Sequence, residues 1–137
     1  MSGILGILRQ EIQNQGPISI HRYMEICLLD PSFGYYRKRD PLGAKGDFTT
    51  APEISQMFGE LIGLWTIKVW QQTGSPSRLQ LVELGPGRGT LMCDALRAAD
   101  MVSRFPDVVD LHLVEVNEKF RNIQRTKLSQ YQPKWHE

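Results

Sequence analysis

The sequence has few features of an exported, disulfide-bonded or membrane-spanning protein. It contains two cysteines, Cys27 and Cys93, which form no CxxC motif or Cys/His cluster and therefore indicate reduced thiols. No apolar run reaches the roughly 18 residues that a membrane span needs. The N-terminal residues also lack the charged region and the small-residue cleavage site of a signal peptide. These absences argue against a disulfide-rich secreted protein and predict no membrane span.

An excess of charge of one sign and metal-ligand motifs are also missing. Sixteen Lys and Arg against fifteen Asp and Glu give a formal net charge of +1, so no global field attracts nucleic acid or an anionic membrane, and neither is an expected partner. The histidines, His21, His112 and His136, have no metal-ligand spacing, and no metal site is expected. The absence of a GxxxxGK[ST] motif excludes a P-loop nucleotide site.

The length of the sequence is typical of one globular domain, and its first part is predicted to be helical. The 137 residues are 41% hydrophobic and 23% charged, as is typical of one soluble core. Apolar residues at helical spacing predict a first helix over about 3–14, and Ser19 can cap a second helix that stops at Asp30-Pro31. From 30 to 50 the periodicity is lost, and we expect a long, functional loop with no element of its own.

A longer helix is predicted after this loop. Thr50 and Glu53 have capping-box spacing, in which the Thr50 side chain accepts from the Glu53 N–H and the Glu53 carboxylate returns to the Thr50 N–H. The helix should end at Thr73-Gly74, and Gly59 and Gly63, one turn apart, should let a neighbouring backbone approach closely. A wide apolar stripe indicates a core helix. The stripe comprises Ile54, Met57, Phe58, Leu61, Ile62, Trp65 and Val69.

The remaining sequence alternates strands with helices. Residues 79–84 read as a strand that runs into glycines, and residues 109–116 read as a second strand. Asn117 can cap the helix that follows, and Trp135 can begin a third strand. The order β-α-β-α predicts a parallel sheet with right-handed crossovers, and hence an α/β fold of the Rossmann-like type.

The strongest chemical signal joins the first strand to its helix and reads Glu83-Leu-Gly-Pro-Gly-Arg-Gly-Thr90. Gly85 permits a tight turn, Gly87 lets the backbone approach a ligand without an intervening Cβ, and Gly89 can let the helix begin close against the strand. The helix N-terminus then presents free N–H groups to an electron-rich part of the ligand. Glu115, at the end of the second strand, is placed to accept both ribose hydroxyls of an adenosine.

Three details favour S-adenosyl-L-methionine (AdoMet) over NAD or FAD as the nucleotide. The glycines read GxGxG, whereas the dinucleotide fingerprint GxGxxG needs a third small residue at position 90, which is Thr90. Glu83 suits a ligand that carries an ammonium group better than a pyrophosphate. Gly85 and Glu115 are 30 residues apart, more than the roughly 20 of a dinucleotide motif. An NAD-dependent oxidoreductase is the weaker alternative.

The motifs of the chain resemble those of the MidA family of class I AdoMet-dependent methyltransferases. The resemblance covers essentially the whole chain, in GPISIHRYM, DPSFGYY, DPLGAKGDFTTAPEISQMFGELIGLW and LVELGPGRGTLM. It implies a seven-stranded domain that begins in 75–137, preceded by a helical and loop segment over 1–74 whose part 46–60 covers the cofactor cleft. It also implies the cofactor-binding residues, which are Glu83, Gly85, Gly87, Gly89 and Glu115.

The resemblance further implies a reaction. The family's mitochondrial member is associated with symmetric dimethylation of an arginine on a respiratory complex I subunit, so the expected partner is a protein substrate of this kind. A guanidinium has no free lone pair at neutral pH, and Asp47 and Glu53 are candidates to orient it and draw off its proton. The segment GDFTTAPEISQMFGELIGLW looks closer to bacterial members, which favours a bacterial cytoplasmic protein over a processed form in the mitochondrial matrix.

The resemblance also limits the activity that we expect. The sequence supplies two strands and the start of a third, out of the family's seven, so it is expected to be a truncated product, a part of a longer chain, or one of two polypeptides that complete the sheet. The edge of the first strand would otherwise be exposed. Weak or absent activity is expected of the segment alone. A non-catalytic assembly or interaction module that keeps the nucleotide fold is the alternative.

Overall fold

The chain folds as two compact units, 1–41 and 42–137. The computed structural model describes residues 3–38, 42, 46–102 and 104–137. The second unit includes the helices that follow residue 50. The division expected from the sequence, into 1–74 and 75–137, places these helices in the first segment instead. None of the helices in the described ranges combines the length and apolar character that a membrane crossing requires.

The first unit consists of helices that the sequence largely predicts. Helix α1 spans Ile4–Gln15 and α2 spans Ile20–Leu29. The Ser19 side chain accepts from the N–H of Arg22 at 3.1 Å, which satisfies one of the free donors of the first turn. Both predicted helices and the predicted cap are confirmed.

A third short helix, α3 (Tyr35–Lys38), lies where the sequence predicts a loop without elements, so that prediction is wrong for these residues. The Asp30 carboxylate organises the turn before it, accepting from the N–H groups of Ser32 at 2.9 Å and Phe33 at 2.8 Å. The Gly34 N–H then donates to the Asp30 carbonyl oxygen at 2.8 Å. A side chain at Gly34 would meet the Asp30 backbone at 2.5 Å, so glycine permits this tight turn.

The second unit alternates helices with strands. In chain order its elements are α4 (Ala51–Ile54), α5 (Gln56–Gln72), β1 (Leu79–Leu84), α6 (Thr90–Val102), α7 (Phe105–Val108), β2 (Val109–Val114), α8 (Glu118–Lys127), a 3-10 turn (Ser129–Tyr131) and β3 (Lys134–His136). Ser55 has extended angles, φ −145° and ψ 121°, so the single helix predicted after residue 50 is divided into α4 and α5. The short α7 joins α6 to β2.

The strands form a parallel sheet, as predicted, and their order in the sheet is β1-β2-β3. Strand β1 pairs with β2 from Leu79 opposite Val109 to Leu84 opposite Val114. The Asn117 side chain accepts from the Lys119 N–H at 2.9 Å and caps α8 as expected. Because the strands are parallel, their carboxyl ends meet at one edge, where open α/β sheets bind ligands.

Helix α5 packs on α6 through its glycines, as the sequence predicts. A Cβ at Gly63 would overlap the carbonyl oxygen of Ala95 and lie 2.8 Å from its carbonyl carbon, and a Cβ at Gly59 would lie 2.6 Å from the Asp94 Cβ. Both glycines are buried, together with Ile67. The close approach of the two helices therefore requires glycine, which has no side chain, at both positions.

The predicted apolar stripe, which runs along α5 and includes Ile54 at the end of α4, is exposed, which corrects the prediction that this stripe belongs to the core. Trp65 and Met57 are each 64% exposed. The physical reason is that the helix is buried along the narrow line of its small residues, so the wider stripe points elsewhere. The exposed members are Ile54, Met57, Phe58, Leu61, Ile62, Trp65 and Val69.

The core of the second unit draws residues from α5, α6, α7, β2 and the end of α8. Its buried members are Ile67, Met92, Leu96, Ala99, Phe105, Leu111, Leu113 and Leu128. Trp70 packs against them, with its ring edge-to-face on Phe105 at a centroid distance of 5.6 Å. Its indole N–H donates to the Pro76 carbonyl oxygen at 2.9 Å. This core supports the sheet edge at which the candidate site lies.

Candidate functional site

The bend between β1 and α6 carries three glycines in the left-handed region. Gly85, Gly87 and Gly89 have φ values of +63°, +54° and +70°, which a side chain would strain. The Gly85 N–H donates to the Val114 carbonyl oxygen at 2.9 Å, and the Gly89 N–H donates to the Pro86 carbonyl oxygen at 2.8 Å. The bend is thus tied to the end of β2 and closed on itself just before α6 begins.

Neighbouring side chains fill the space beside two of these glycines. A Cβ at Gly87 would lie 2.5 Å from Leu42 Cδ1, and a Cβ at Gly89 would lie 3.2 Å from Gln124 Cγ. The sequence suggests that Gly89 lets α6 begin close against the strand, but its close neighbours here belong to α8 and to the residue after it. The bend is therefore enclosed by Leu42 on one side and by α8 on another.

A cavity of about 170 Å³ lies beside the bend. The backbone of Gly85, Gly87 and the intervening proline forms one wall. Glu53, Glu83 and Arg88 also line it. The remaining lining residues are Leu42, Thr50, Pro52, Thr90 and Leu91. The cavity is small, its lining is partly polar and partly apolar, and two of its three charged side chains are acidic.

Glu83 is the carboxylate in this cavity whose charge is least compensated. Its Oε2 atom is buried and has no hydrogen-bond partner among the described residues. Burial raises the pKa of the Glu83 carboxyl to about 7, because removing an anion from water disfavours its ionised form. A cationic group placed in the cavity would supply the missing compensation.

Glu53 is bound to the bend and not to its own helix. Its Oε1 accepts from the Thr90 hydroxyl at 2.7 Å and its Oε2 from Arg88 Nη1 at 3.4 Å. Arg88 Nη2 also donates to the Leu42 carbonyl oxygen at 2.8 Å. The Thr50 side chain makes no capping hydrogen bond in the described part of α4. The predicted capping box is therefore wrong, because the Glu53 carboxylate satisfies donors that lie far along the chain.

Glu115 lies at the same edge of the sheet as the bend. It follows Val114, whose carbonyl oxygen accepts the Gly85 N–H. Glu115 is 8% exposed, and its Oε1 accepts from the Asn117 N–H at 2.8 Å. Neither Glu115 nor Asp47, which is exposed, is among the described residues that line the cavity. The structure thus brings Glu53, Glu83 and the glycines together. Glu115 directly follows Val114, the residue at the end of β2 that accepts the Gly85 N–H.

Two of the histidines lie side by side, which their separation in the sequence does not indicate. His112 Nδ1 and His136 Nε2 are 2.7 Å apart, and the rings are stacked with centroids 5.0 Å apart. They come from β2 and β3, which are neighbours in the sheet. Across residues 3–38, 42, 46–102 and 104–137, no group of three or more His, Cys, Asp or Glu side chains could hold a metal ion.

The sequence predicts no role for Gln124, a residue of α8 whose side chain contacts the bend. It is fully buried, and its Nε2 donates to the Gly87 carbonyl oxygen at 2.6 Å. A signal does exist in the sequence, because Phe120, Gln124 and Leu128 are spaced by four and all are buried. A polar residue on the apolar face of a helix indicates a buried side chain that must be hydrogen-bonded.

The fold is similar to two solved structures from Burkholderia thailandensis. One contains bound S-adenosyl-homocysteine and has a TM-score of 0.75 and 26% identity, over 98% of this chain and 36% of that chain. The other is a native crystal structure with a TM-score of 0.67 and 28% identity, over 97% of this chain and 34% of that chain. These similarities confirm the predicted α/β fold class.

Curated relatives are similar at the level of sequence. The chain is 49% identical over 124 residues to "Protein arginine methyltransferase NDUFAF7, mitochondrial" of Homo sapiens, covering 89% of this chain and 28% of that protein. It is 48% identical over 130 residues to the protein of the same name in Xenopus laevis, covering 93% of this chain and 30% of that protein. The chain thus spans less than a third of the length of these curated relatives.

A family model also matches the segment that contains the site. The model describes a "Putative S-adenosyl-L-methionine-dependent methyltransferase" and matches residues 61–137, which is more than half of the chain. The matched range includes the glycine bend, Glu83 and Glu115. The resemblance noted in the sequence is confirmed, and the chain belongs to this family of S-adenosyl-L-methionine-dependent methyltransferases.

Proposed function

We propose that the cavity at the glycine bend binds AdoMet and that the chain forms the cofactor-binding part of a protein arginine methyltransferase. The observation that carries the proposal is the buried Glu83 carboxylate oxygen that has no hydrogen-bond partner among the described residues. AdoMet carries an ammonium and a sulfonium, and either cation would stabilise the ionised carboxylate. The pyrophosphate of a dinucleotide would instead repel it.

Each residue of the proposed site has a distinct role. We assign the ammonium end of AdoMet to Glu83 and the close approach of the ligand to the backbone of Gly85 and Gly87. Gly89 would allow α6 to start against α8. Glu115 is assigned to the ribose hydroxyls, which is supported by its position after β2, beside the residue that accepts the Gly85 N–H.

Bound AdoMet supplies a methyl group that is activated toward transfer by the sulfonium. An arginine acceptor is protonated and has no free lone pair, so the protein must orient it and accept its proton during transfer. The hydrogen bonds of Glu53 to Thr90 and Arg88 favour a role in fixing the bend. Asp47 is exposed and stays the candidate for contact with a protein acceptor.

The acceptor and the compartment are further parts of this proposal. The human and Xenopus relatives are named protein arginine methyltransferases and mitochondrial, which supports a protein substrate and a mitochondrial protein. The resemblance adds a respiratory complex I subunit as the substrate. The identity is 48% to 49% with these animal proteins and 26% to 28% with the two bacterial structures, so the bacterial origin suggested by the sequence has no support.

Titration calorimetry of the purified chain with S-adenosyl-homocysteine (AdoHcy) and, separately, with NADH tests the proposal. We expect saturable binding of AdoHcy with one site per chain and no heat from NADH. Binding of NADH alone would favour the oxidoreductase alternative. Absence of binding for both ligands would contradict the proposed cofactor site and favour a non-catalytic interaction module, for which the exposed apolar stripe of α5 offers a surface.

Glu83 gives the binding a predictable pH dependence. Its pKa is raised to about 7 by burial, and a bound cation would lower it, so AdoMet binding near neutral pH should release a proton. The affinity for AdoMet should therefore rise as pH increases through about 7. Glu83→Gln should weaken binding about tenfold at alkaline pH and abolish the pH dependence. Calorimetry at several pH values, in buffers of different ionisation enthalpy, measures both effects.

The stability of the ligand-free chain should change with pH in the opposite direction. Because the folded state raises the pKa of Glu83 above its ordinary value, the folded state binds the proton more tightly than the unfolded chain. The free energy of unfolding should therefore decrease as pH rises from the ordinary range of a glutamate to about 7. Glu83→Gln should remove this component. An AdoMet affinity that is independent of pH in the unsubstituted chain would contradict the role of Glu83 as the cation's partner.

A further inference from the structure

Gln124 forms a buried bridge between the glycine bend and β3. Its side chain is fully buried on α8. The amide nitrogen donates to the Gly87 carbonyl oxygen at 2.6 Å, and the amide oxygen accepts from the Trp135 indole N–H at 2.8 Å. A buried amide without partners would be costly, and both ends of this one are paired.

The chemistry of its two partners admits only one orientation of this amide. A backbone carbonyl can only accept, and an indole N–H can only donate, so the Gln124 nitrogen must face Gly87 and the oxygen must face Trp135. Methionine or leucine would satisfy neither partner. An ionised glutamate would still accept from Trp135, but it would have no proton to donate to Gly87. The bridge therefore requires the amide and not merely a side chain of the same volume.

The hydrogen bond to Gly87 fixes one peptide group of the glycine-rich bend. Gly87 lies in the left-handed region at φ +54°, and glycine moves readily between this region and others. Because the peptide unit is planar and trans, holding its carbonyl toward α8 turns the N–H of Arg88 away from α8. The same side chain approaches Gly89, where a Cβ would lie 3.2 Å from Gln124 Cγ. One side chain thus holds the Gly87 peptide and packs beside Gly89.

We propose that Gln124 is a positioning residue for the cofactor, and that its amide holds the Gly87 peptide in the orientation that AdoMet requires. The inference rests on the proposed function for the identity of the ligand. Gln124 acts through the bend and is not among the described residues that line the cavity. A preorganised bend avoids the cost of ordering the glycines when the ligand binds.

The experiment compares Gln124→Met with Trp135→Phe. Gln124→Met removes the donor to Gly87, whereas Trp135→Phe leaves that donor in place and removes only the other bond of the same amide. Gln124→Met leaves the Gly87 carbonyl and the Trp135 N–H unpaired, and Trp135→Phe leaves the Gln124 oxygen unpaired, so both should lower the melting temperature. We expect Gln124→Met to weaken AdoHcy binding about tenfold by calorimetry, and Trp135→Phe to change it by no more than about twofold.

Hydrogen exchange of the ligand-free chain gives a second measurement that does not depend on the ligand. The amides of residues 85–91 should exchange faster in Gln124→Met than in Trp135→Phe. If the unsubstituted chain binds no AdoHcy, the proposed function fails, and exchange at the bend alone decides whether Gln124 positions it. If Gln124→Met does not fold, Gln124→Leu, which also satisfies neither partner, is used in its place. Equal affinities and equal exchange at the bend in the two variants would overturn the inference.

Discussion

Gly87→Val is expected to lower the affinity for AdoHcy by about a hundredfold or more. A β-branched residue is a severe outlier at the φ of +54° found here, and its Cβ would lie 2.5 Å from Leu42 Cδ1. The chain can relieve this only by leaving the left-handed region, which moves the Gly87 carbonyl from Gln124, or by displacing Leu42. Both changes alter the wall of the cavity, so the loss should fall on binding.

The control for Gly87→Val is Gly74→Val, in the connection between α5 and β1. Gly74 has a φ of +91°, and a Cβ there would meet nothing within 4 Å. This variant therefore carries comparable backbone strain without a steric clash and outside the site. It should lose stability by about 1–2 kcal/mol and keep its affinity for AdoHcy. Undiminished binding by Gly87→Val in calorimetry would show that the ligand does not rest on the bend.

The elements that could be predicted are those whose signals are local. Strand β1 occupies the predicted residues, because its apolar run is bounded by a turn and by the glycine motif. Ser19 and Asn117 cap their helices because a short polar side chain needs only an N–H group two or three residues away. The predicted parallel arrangement of the strands follows from the general rules of α/β folds. Each of these features is decided within a few residues or by topology.

The elements that could not be predicted depend on distant partners. The apolar stripe of α5 shows that the helix is amphipathic, but it does not reveal which face a neighbour covers. The face of α5 that carries Gly59 and Gly63 is the buried one, because these glycines let the helix pack closely against α6. Glu53 matched a local capping motif, yet its carboxylate reached Thr90, 37 residues away. A local sequence pattern does not show whether a carboxylate will accept from a nearby N–H group or from a hydrogen-bond donor that the fold brings close.

The candidate site divides in the same way. The glycines and Glu83 were found from a compact motif, since the bend is made by consecutive residues. The raised pKa of Glu83 was not predicted, because it comes from burial in the folded chain. Leu42 and Gln124 reach the bend from 45 and 37 positions away along the sequence. Their contact with the bend depends on the fold, although a polar residue on the apolar face of α8 indicates a buried side chain that needs a hydrogen-bond partner.

Gly63→Ala is expected to destabilise the fold by about 3 kcal/mol or more. The added Cβ would overlap the Ala95 carbonyl oxygen and lie 2.8 Å from its carbonyl carbon. These atoms belong to the backbone of α6, so no side-chain rotation can make room and the two helices must separate. Gly59→Ala should cost less, because its overlap is smaller: the nearest atom is the Asp94 Cβ at 2.6 Å, and the nearest backbone atom is the Leu91 carbonyl oxygen at 3.1 Å. Urea unfolding followed by circular dichroism measures both.

Thr66→Ala, one turn along the same helix, is the control for a small substitution in α5. Its hydroxyl donates only to the carbonyl oxygen of Ile62, within the helix, so its loss should change stability by less than about 1 kcal/mol. The expected order of destabilisation is Gly63→Ala, then Gly59→Ala, then Thr66→Ala. A Gly63→Ala variant as stable as Thr66→Ala would contradict the close packing of α5 on α6. Because α6 begins at the bend and α4 carries Glu53 to it, loss of this packing should also weaken AdoHcy binding.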